Sequence, residues 1–127
     1  MGHEFELTIK HPGGQQIKAW FHQATGLEPH SRKLEGLRKY SNITLKRGYT
    51  ADSSLSNWHS QVKDGTFSKA EASVVLLDES QKTIQRWKVN EAWPAKYEPA
   101  ELNSKSNEIA IEILELSNEG LVLDDPD

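Results

Sequence analysis

Side chains that could bind a metal ion are present in this chain, but their spacing does not suit a metal site. The histidines are His3, His11, His22, His30 and His59. No two of them lie at positions i and i+4, the spacing that brings two ligands to one face of a helix. His3 precedes Glu4, but neighbouring residues of a strand point to opposite faces of a sheet. We therefore expect no metal site.

The residue patterns of nucleophilic and phosphate-binding sites are also missing from the sequence. There is no cysteine, no serine lies in a strand-turn-helix elbow, and the glycines are scattered among turns. The two carboxylates of Glu112 and Glu115 are better explained as solvated or interface charge than as an acid–base couple. The sequence thus predicts no catalytic residue and no cofactor, and we do not expect an enzyme.

Aromatic side chains are the remaining candidates for ligand binding, because flat rings can hold sugars or bases. Trp58 falls on the apolar face of a predicted helix, Trp87 lies inside a predicted strand, and Trp93 directly precedes Pro94. These three favour a core role, so Trp20 and Tyr97 remain as candidates for an exposed contact. A small carbohydrate- or peptide-binding β-barrel that uses both is therefore an alternative function.

The composition limits the type of protein. A length of 127 residues predicts a single domain, 1–127, and a hydrophobic fraction of 35% suits strands that are wet on one face. The net charge of −4 argues against a sequence-specific nucleic-acid binder. No run of about 18 apolar residues predicts a membrane span, and the first residues lack the apolar segment of a signal peptide. We expect synthesis in the cytoplasm.

The first half of the chain alternates polar and apolar residues, which is typical of half-buried strands. The pattern predicts an N-terminal hairpin at residues 1–24 and a loop at residues 25–41. It predicts the core strands and a helix within residues 42–121. The helix follows Asp52 and Ser53, and it places Leu55, Trp58 and Val62 on one side. The prediction is a mainly β fold with one short helix.

The second half predicts strands at 70–78 and 83–90, a corner at Trp93-Pro94 and a last strand at about 108–116. Its isoleucines are expected to face the core, and the opposite, mixed face a neighbour or water. Residues 122–127 predict a frayed acidic tail. The predicted core residues are Phe5, Leu7, Ile43, Leu45, Trp58, Val74, Leu76, Trp93, Ile109, Ile111 and Ile113.

Two segments, 89–121 and 32–50, resemble in the same order the tail tube proteins of contractile bacteriophages and of phage-like contractile injection systems. The first contains VNEAWPAKYEPAEL and the second RKLEGLRKYSNITLKRGYT. The resemblance implies two packed antiparallel sheets that form a barrel-like sandwich with one flanking helix. It also implies that protomers join into a ring-shaped β-barrel, because a closed barrel leaves no exposed edges.

The function implied by the resemblance is that of a structural subunit of an inner tube, built from stacked, hexameric rings. Contractile sheath and baseplate proteins would be its partners, with cargo in the lumen and without a membrane span. The chain would be made in the bacterial cytoplasm and would end in a phage tail or an extracellular injection particle. A type VI secretion-like tube protein is an alternative. The candidate subunit and ring interface comprises Lys39, Tyr40, Asn42, Thr44, Lys46, Arg47, Tyr97, Glu98, Asn107 and Glu112.

One segment departs from the family pattern. Related tube proteins carry a longer, acidic, glycine-containing segment between the residues that match Leu27 and Arg32, where this chain keeps only residues 28–31. In the family that segment helps one ring hold the next. The departure suggests a specialised subunit, such as a tube initiator close to the baseplate, or stacking through a reduced contact.

Overall fold

The computed structural model describes residues 4–11, 16–27, 41–66, 69–100 and 110–124. Within these ranges the chain forms eight β-strands and one α-helix. Their bounds are β1 Glu4–Lys10, β2 Gln16–Phe21, β3 Gln23–Thr25, β4 Ile43–Gly48, α1 Ser54–Lys63, β5 Ala70–Leu77, β6 Thr83–Glu98, β7 Ile111–Ser117 and β8 Gly120–Asp124. The prediction of a mainly β fold with one short helix is confirmed.

The strands form one antiparallel sheet in the order β2-β1-β5-β6-β7-β4-β3, and β8 pairs with β6. The long strand β6 takes part in two layers. Its first part lies between β5 and β8, and its last part pairs with β7. We call β2-β1-β5-β6-β8 the first layer and β3-β4-β7 with the end of β6 the second layer. Only His22 separates β2 from β3, so this segment also passes from one layer to the other.

The predicted strand at 83–90 is too short, because β6 continues through the predicted corner at Trp93-Pro94. The strand bends instead of ending. A register shift lies opposite Ala70–Ala72, where Glu91 has a φ of 47°, and another lies between Pro94 and Lys96. Such bulges sharpen the local twist and allow a proline inside a strand. One strand can therefore serve both layers.

The core lies between the two layers. Side chains of the first layer, such as Leu7, Phe21 and Val74, meet Ile43 and Leu45 of the second. The other fully buried large side chains are Ile9, Leu55, Trp58, Val89, Leu114 and Leu116. Among the predicted core residues, Phe5 and Leu76 are half-buried against this cluster. Trp93 is also half-buried, and Ile109 lies outside the described residues.

The facing of β7 is the reverse of the prediction. Ile111 is 50% exposed and Ile113 half-buried, whereas Glu112, Leu114 and Leu116 point inward. Counting apolar side chains favours burial of the face that carries the isoleucines. Such a count takes no account of Arg47, the buried partner of Glu112 on β4. A shift of one residue exchanges the two faces of a strand, so this partner decides the facing.

Two short strands extend into segments where the sequence indicated irregular structure. Gln23–Thr25 pairs with β4, although the predicted loop began at residue 25. Residues 122–124 belong to β8 and pair with β6, so this part of the predicted frayed tail is an ordered strand. Their order comes from pairing with strands distant in sequence.

Helix α1 covers one end of the core. Asp52 accepts a hydrogen bond from the Ser54 backbone N–H at 3.0 Å, which satisfies one of the free donors at the start of the helix. The helix buries Leu55 and Trp58, and the Trp58 ring meets the His11 ring edge-on at 6.0 Å. At ten residues, a helix is too short to persist in water alone, so this packing maintains it.

Candidate assembly surfaces and the ion-pair network behind them

The structure brings together three of the residues predicted at the interface, but it does so inside the subunit. Arg47 on β4 lies directly opposite Glu112 on β7, and Tyr97 on β6 contacts the same carboxylate. The side chains of Arg47 and Glu112 are only 7% and 4% exposed. Their position differs from the expected surface role, because each needs the other as a partner away from water.

The contact between Arg47 and Glu112 is made at two points. Arg47 Nε donates to Glu112 Oε2 at 2.7 Å, and Arg47 Nη2 donates to Oε1 at 3.2 Å. The guanidinium carbon also lies 5.2 Å from the centre of the Phe21 ring. A planar guanidinium in this geometry fixes both orientation and distance. The pair therefore sets the register between β4 and β7.

Tyr97 completes the contacts of the Glu112 carboxylate. Its hydroxyl donates to Oε1 at 3.0 Å. Burial, together with this hydrogen bond and the charge of Glu112, raises the pKa of Tyr97 to about 12. The tyrosine is thus held as a neutral donor, and its hydroxyl is not available to an external ligand.

Asp52 connects the ion pair to the start of α1. Its Oδ2 lies 3.6 Å from Arg47 Nη2, and both oxygens accept hydrogen bonds from Ser54. Burial alone would raise the pKa of Asp52, but the Ser54 hydrogen bonds and the Arg47 charge outweigh it and lower the pKa. The network therefore joins β4, β7, β6 and the helix.

The other described interface candidates lie on or near the outer face of the second layer. Asn42 donates to Glu115 at 2.8 Å and accepts from Ser117 at 3.1 Å, next to the start of β4. Thr44 and Lys46 are half-buried on β4, and Glu98 is exposed at the end of β6. Lys39, Tyr40 and Asn107 lie outside the described residues. The assignment of these surface residues to a contact stays a prediction.

Two strands of the first layer have an unpaired edge among the described residues. β2 pairs with β1 on one side only, and β8 pairs with β6 on one side only. An unpaired strand edge offers a row of backbone donors and acceptors to another strand. β2 and β8 are therefore the surfaces best suited to recruit another chain.

Exposed apolar side chains mark the same two edges. Trp20 on β2 is 45% exposed, and Val122 and Leu123 on β8 are 50% and 41% exposed. Such residues at a free edge invite association. The sequence analysis proposed Trp20 for an exposed contact but missed β8. The run of three apolar residues, Leu121 to Leu123, after Gly120 was the available signal.

An open groove of 540 Å³ lies where β2 and β4 end. We call it the aromatic groove, because Trp20 and Tyr49 are its large exposed side chains. Its lining residues are Lys18, Trp20, His22, Arg47, Gly48, Tyr49, Thr50 and Asp52. Tyr97 does not line it, so the structure does not bring Trp20 and Tyr97 together as the carbohydrate-binding alternative requires.

The described residues contain no group of three or more His, Asp or Glu side chains that could hold a metal ion. In the same part of the chain no helix is both long enough and apolar enough to cross a membrane. The described structure is a two-layered β sandwich in which the first layer ends in two unpaired strands, β2 and β8. This arrangement is typical of the class of β-structured proteins that pair with other chains through their edges.

Comparison with known proteins narrows this class. Residues 14–122 match the family described as T4-like virus tail tube protein gp19. The chain belongs to this family and is a structural tube subunit. A comparison with curated proteins gave no significant match.

Solved structures show the same fold at low sequence identity. A chain of the anti-feeding prophage baseplate is 19% identical, with a TM-score of 0.72 over 97% of this chain and 93% of its own. A chain of the sheath-tube complex of an extracellular contractile injection system is 18% identical, with a TM-score of 0.68 over 94% and 87%. Hcp1 from Flavobacterium johnsoniae is 18% identical, with a TM-score of 0.61 over 94% and 93%.

Proposed function

We propose that copies of this chain join side by side into closed rings, and that the rings stack into the inner tube of a contractile particle. The supporting observation is the pair of free edges on opposite sides of the first layer. β2 of one copy would pair with β8 of the next. Each copy then uses two different surfaces, and a contact of this kind closes into a ring when the rotation fits.

The strand directions are compatible with such a ring. β1 is antiparallel to β2 and β5, and β6 is antiparallel to β5 and β8, so β2 and β8 run in the same direction. Rotation about a ring axis preserves the direction of strands along that axis. β8 of one copy would therefore meet β2 of the next as a parallel pair, and the first layers would join into one continuous barrel.

The outer face of the first layer would line the bore, because the inner face packs against the core. By strand register this face carries Lys10, Lys18, Arg86 and Lys88 together with Glu4, Glu6, Glu71 and Asp124. Its charges balance, so the net charge of −4 does not come from this wall. Cargo would meet a mixed surface without strong attraction or repulsion.

The family resemblance supports six copies in each ring, a surrounding sheath and a baseplate below. The first solved structure is described as a baseplate, "6-fold symmetrised", and the second as a sheath-tube complex. In this assignment the chain has no enzymatic role. It is made in the bacterial cytoplasm and ends in a phage tail or an extracellular injection particle.

The experiment compares two lysine substitutions at equally exposed apolar residues. Val122 on β8 and Ile111 on β7 are both 50% exposed, but only Val122 lies on a free edge of the first layer. We expect rings with a central hole for the wild type and for Ile111→Lys, and monomers for Val122→Lys. Mass photometry and negative-stain microscopy give the result. A wild type that stays monomeric at high concentration would contradict the proposal.

A position near the baseplate is the second candidate, and the similarity to a baseplate chain favours it. An initiator would form single rings or short stacks, whereas a main tube protein would form long tubes. Residues 28–31, on which the sequence argument rests, lie outside the described residues. The length distribution of tubes formed by the purified protein distinguishes the two positions.

A further inference from the structure

The aromatic groove has the chemistry of a peptide-binding site. Trp20 and Tyr49 present 45% and 57% of their surface to solvent, next to the amine of Lys18 and the imidazole of His22. Arg47 and Asp52 lie at its inner end and are paired with each other. Lys18 forms no ion pair among the described residues. Its amine is therefore available to an acidic ligand beside the rings of Trp20 and Tyr49.

The groove lies where a neighbouring chain would arrive. Trp20 and His22 are at the end of β2 that leads into β3. In the proposed ring, β8 of the next copy runs parallel to β2, so the residues after Leu123 continue toward this end. The inference therefore rests on the proposed ring.

The following residues of the sequence are Asp124, Asp125, Pro126 and Asp127. Acidic side chains complement Lys18, and proline in an extended chain packs well against exposed aromatic rings. Residues 125–127 lie outside the described part of the chain.

Residues 125–127 of one molecule do not reach the aromatic groove of that molecule. Measured along the sheet, four strand spacings separate β8 from β2, about 19 Å at about 4.8 Å each. The residues 125–127 span at most about 10 Å when fully extended. None of the described residues of β8 lines the groove. These residues can therefore reach only the groove of another copy.

We propose that residues 124–127 of one copy dock in the aromatic groove of the adjacent copy in the same ring. Pro126 packs against Trp20 and Tyr49, and the flanking carboxylates face Lys18 and His22. This contact extends the β2–β8 junction beyond the sheet and fastens each subunit to its neighbour.

Disulfide cross-linking tests the contact directly, because the chain has no native cysteine. Tyr49→Cys combined with Asp125→Cys reports on the groove. Val122→Cys combined with Gln16→Cys or Lys18→Cys reports on the β2–β8 edge. Asp125→Cys with Glu71→Cys, an exposed residue at the opposite end of β5, is the control and should not cross-link. After oxidation we expect a ladder of covalent oligomers from the groove pair and from an edge pair.

The outcomes separate the two proposals. If an edge pair of cysteines gives covalent oligomers and the groove pair does not, the docking is wrong and the ring proposal stands. A groove pair that links only within one molecule also overturns the docking. No ladder from either pair means that the proposed ring itself is wrong.

A charge variant adds a quantitative test without cysteines. Lys18→Gln should raise the subunit concentration for half-assembly by about 1.4-fold to fivefold, since one solvent-accessible ion pair is lost. Lys63→Gln, which removes an exposed lysine from the last turn of α1, should leave it unchanged. The effect of Lys18→Gln should shrink in high salt. Equal behaviour of the two variants would contradict the docking.

Discussion

Arg47 and Glu112 lie 65 residues apart in the chain and form a buried, two-point ion pair between β4 and β7. The shorter of its two contacts is 2.7 Å. The pair holds the second layer in register and places Arg47 within reach of Asp52 at the start of the helix. The carboxylate that a pattern of alternating residues assigns to the surface is thus a structural element of the interior.

Removal of Arg47 alone should strongly destabilise the fold. Arg47→Met leaves the Glu112 carboxylate buried without its counter-charge, which costs about 3–5 kcal/mol of unfolding free energy. The double variant Arg47→Met/Glu112→Met should recover most of this loss, because no uncompensated charge remains. Urea unfolding of both variants measures the difference.

Lys96→Met provides the control for this pair. It breaks the exposed ion pair with Glu98, whose N–O distance is 3.1 Å, and should leave the unfolding midpoint unchanged. If the double variant were as unstable as the sum of its two single variants, the ion pair would carry no coupling and this explanation would be wrong.

The raised pKa of Tyr97 predicts a loss of stability at alkaline pH. Because the folded-state pKa of about 12 exceeds the ordinary value of 10.0, the stabilisation from the neutral hydroxyl is complete below pH 10. It is lost as the pH rises from about 10 toward 12. Unfolding free energies measured across this range should fall more steeply for the wild type than for Tyr97→Phe. Parallel pH profiles would contradict the prediction.

Two glycines allow backbone strain to be separated from a steric clash. Gly26 and Gly65 both have a φ of 86°, so alanine is strained at either site by about 1–2 kcal/mol. A Cβ atom at Gly26 would lie 2.1 Å from the Asn42 carbonyl oxygen, whereas at Gly65 no atom of the described residues lies within 4 Å. Gly26→Ala should therefore be clearly less stable than Gly65→Ala by thermal unfolding. Equal melting temperatures would mean that the approach of residue 26 to β4 is looser than the structure shows.

Trp58 should be the most costly side chain of the helix to remove. It is fully buried, and truncation to alanine leaves a large cavity worth about 3–5 kcal/mol. Its Nε1 finds no hydrogen-bond partner among the described residues, so Trp58→Phe should lose less than half as much. Trp20→Phe at the exposed edge should change monomer stability by less than about 0.5 kcal/mol. Denaturant titration followed by circular dichroism compares the three variants.

The sequence predicted best those strands and helices whose residue spacing alone indicates their secondary structure. Alternation predicted the hairpin of β1 and β2, and the helical spacing of Leu55 and Trp58 predicted the helix that follows Asp52 and Ser53. The family resemblance, carried by 89–121 and 32–50, agrees with the match over residues 14–122. These features are local, so their residues carry the information themselves.

The candidate site was less accessible to sequence reasoning. Trp20, a candidate for an exposed contact, is exposed, but Arg47 and Glu112 were expected at an interface, and residues 122–124 of β8 were assigned to a frayed tail. Neighbouring residues in the sequence could not have corrected these assignments. Glu112 is paired with Arg47 on β4, and β8 is ordered by its pairing with β6.

By itself, therefore, the sequence determined the fold class, the helix, the family and the absence of thiol chemistry. Only the tertiary structure decided which face of β7 is inside, that β6 passes through Pro94 to join both layers, and that β2 and β8 keep free edges. The physical reason is the same in each case. The facing of a strand and the pairing of its edge depend on the strands beside it, and those strands are brought there by contacts between residues far apart in the chain.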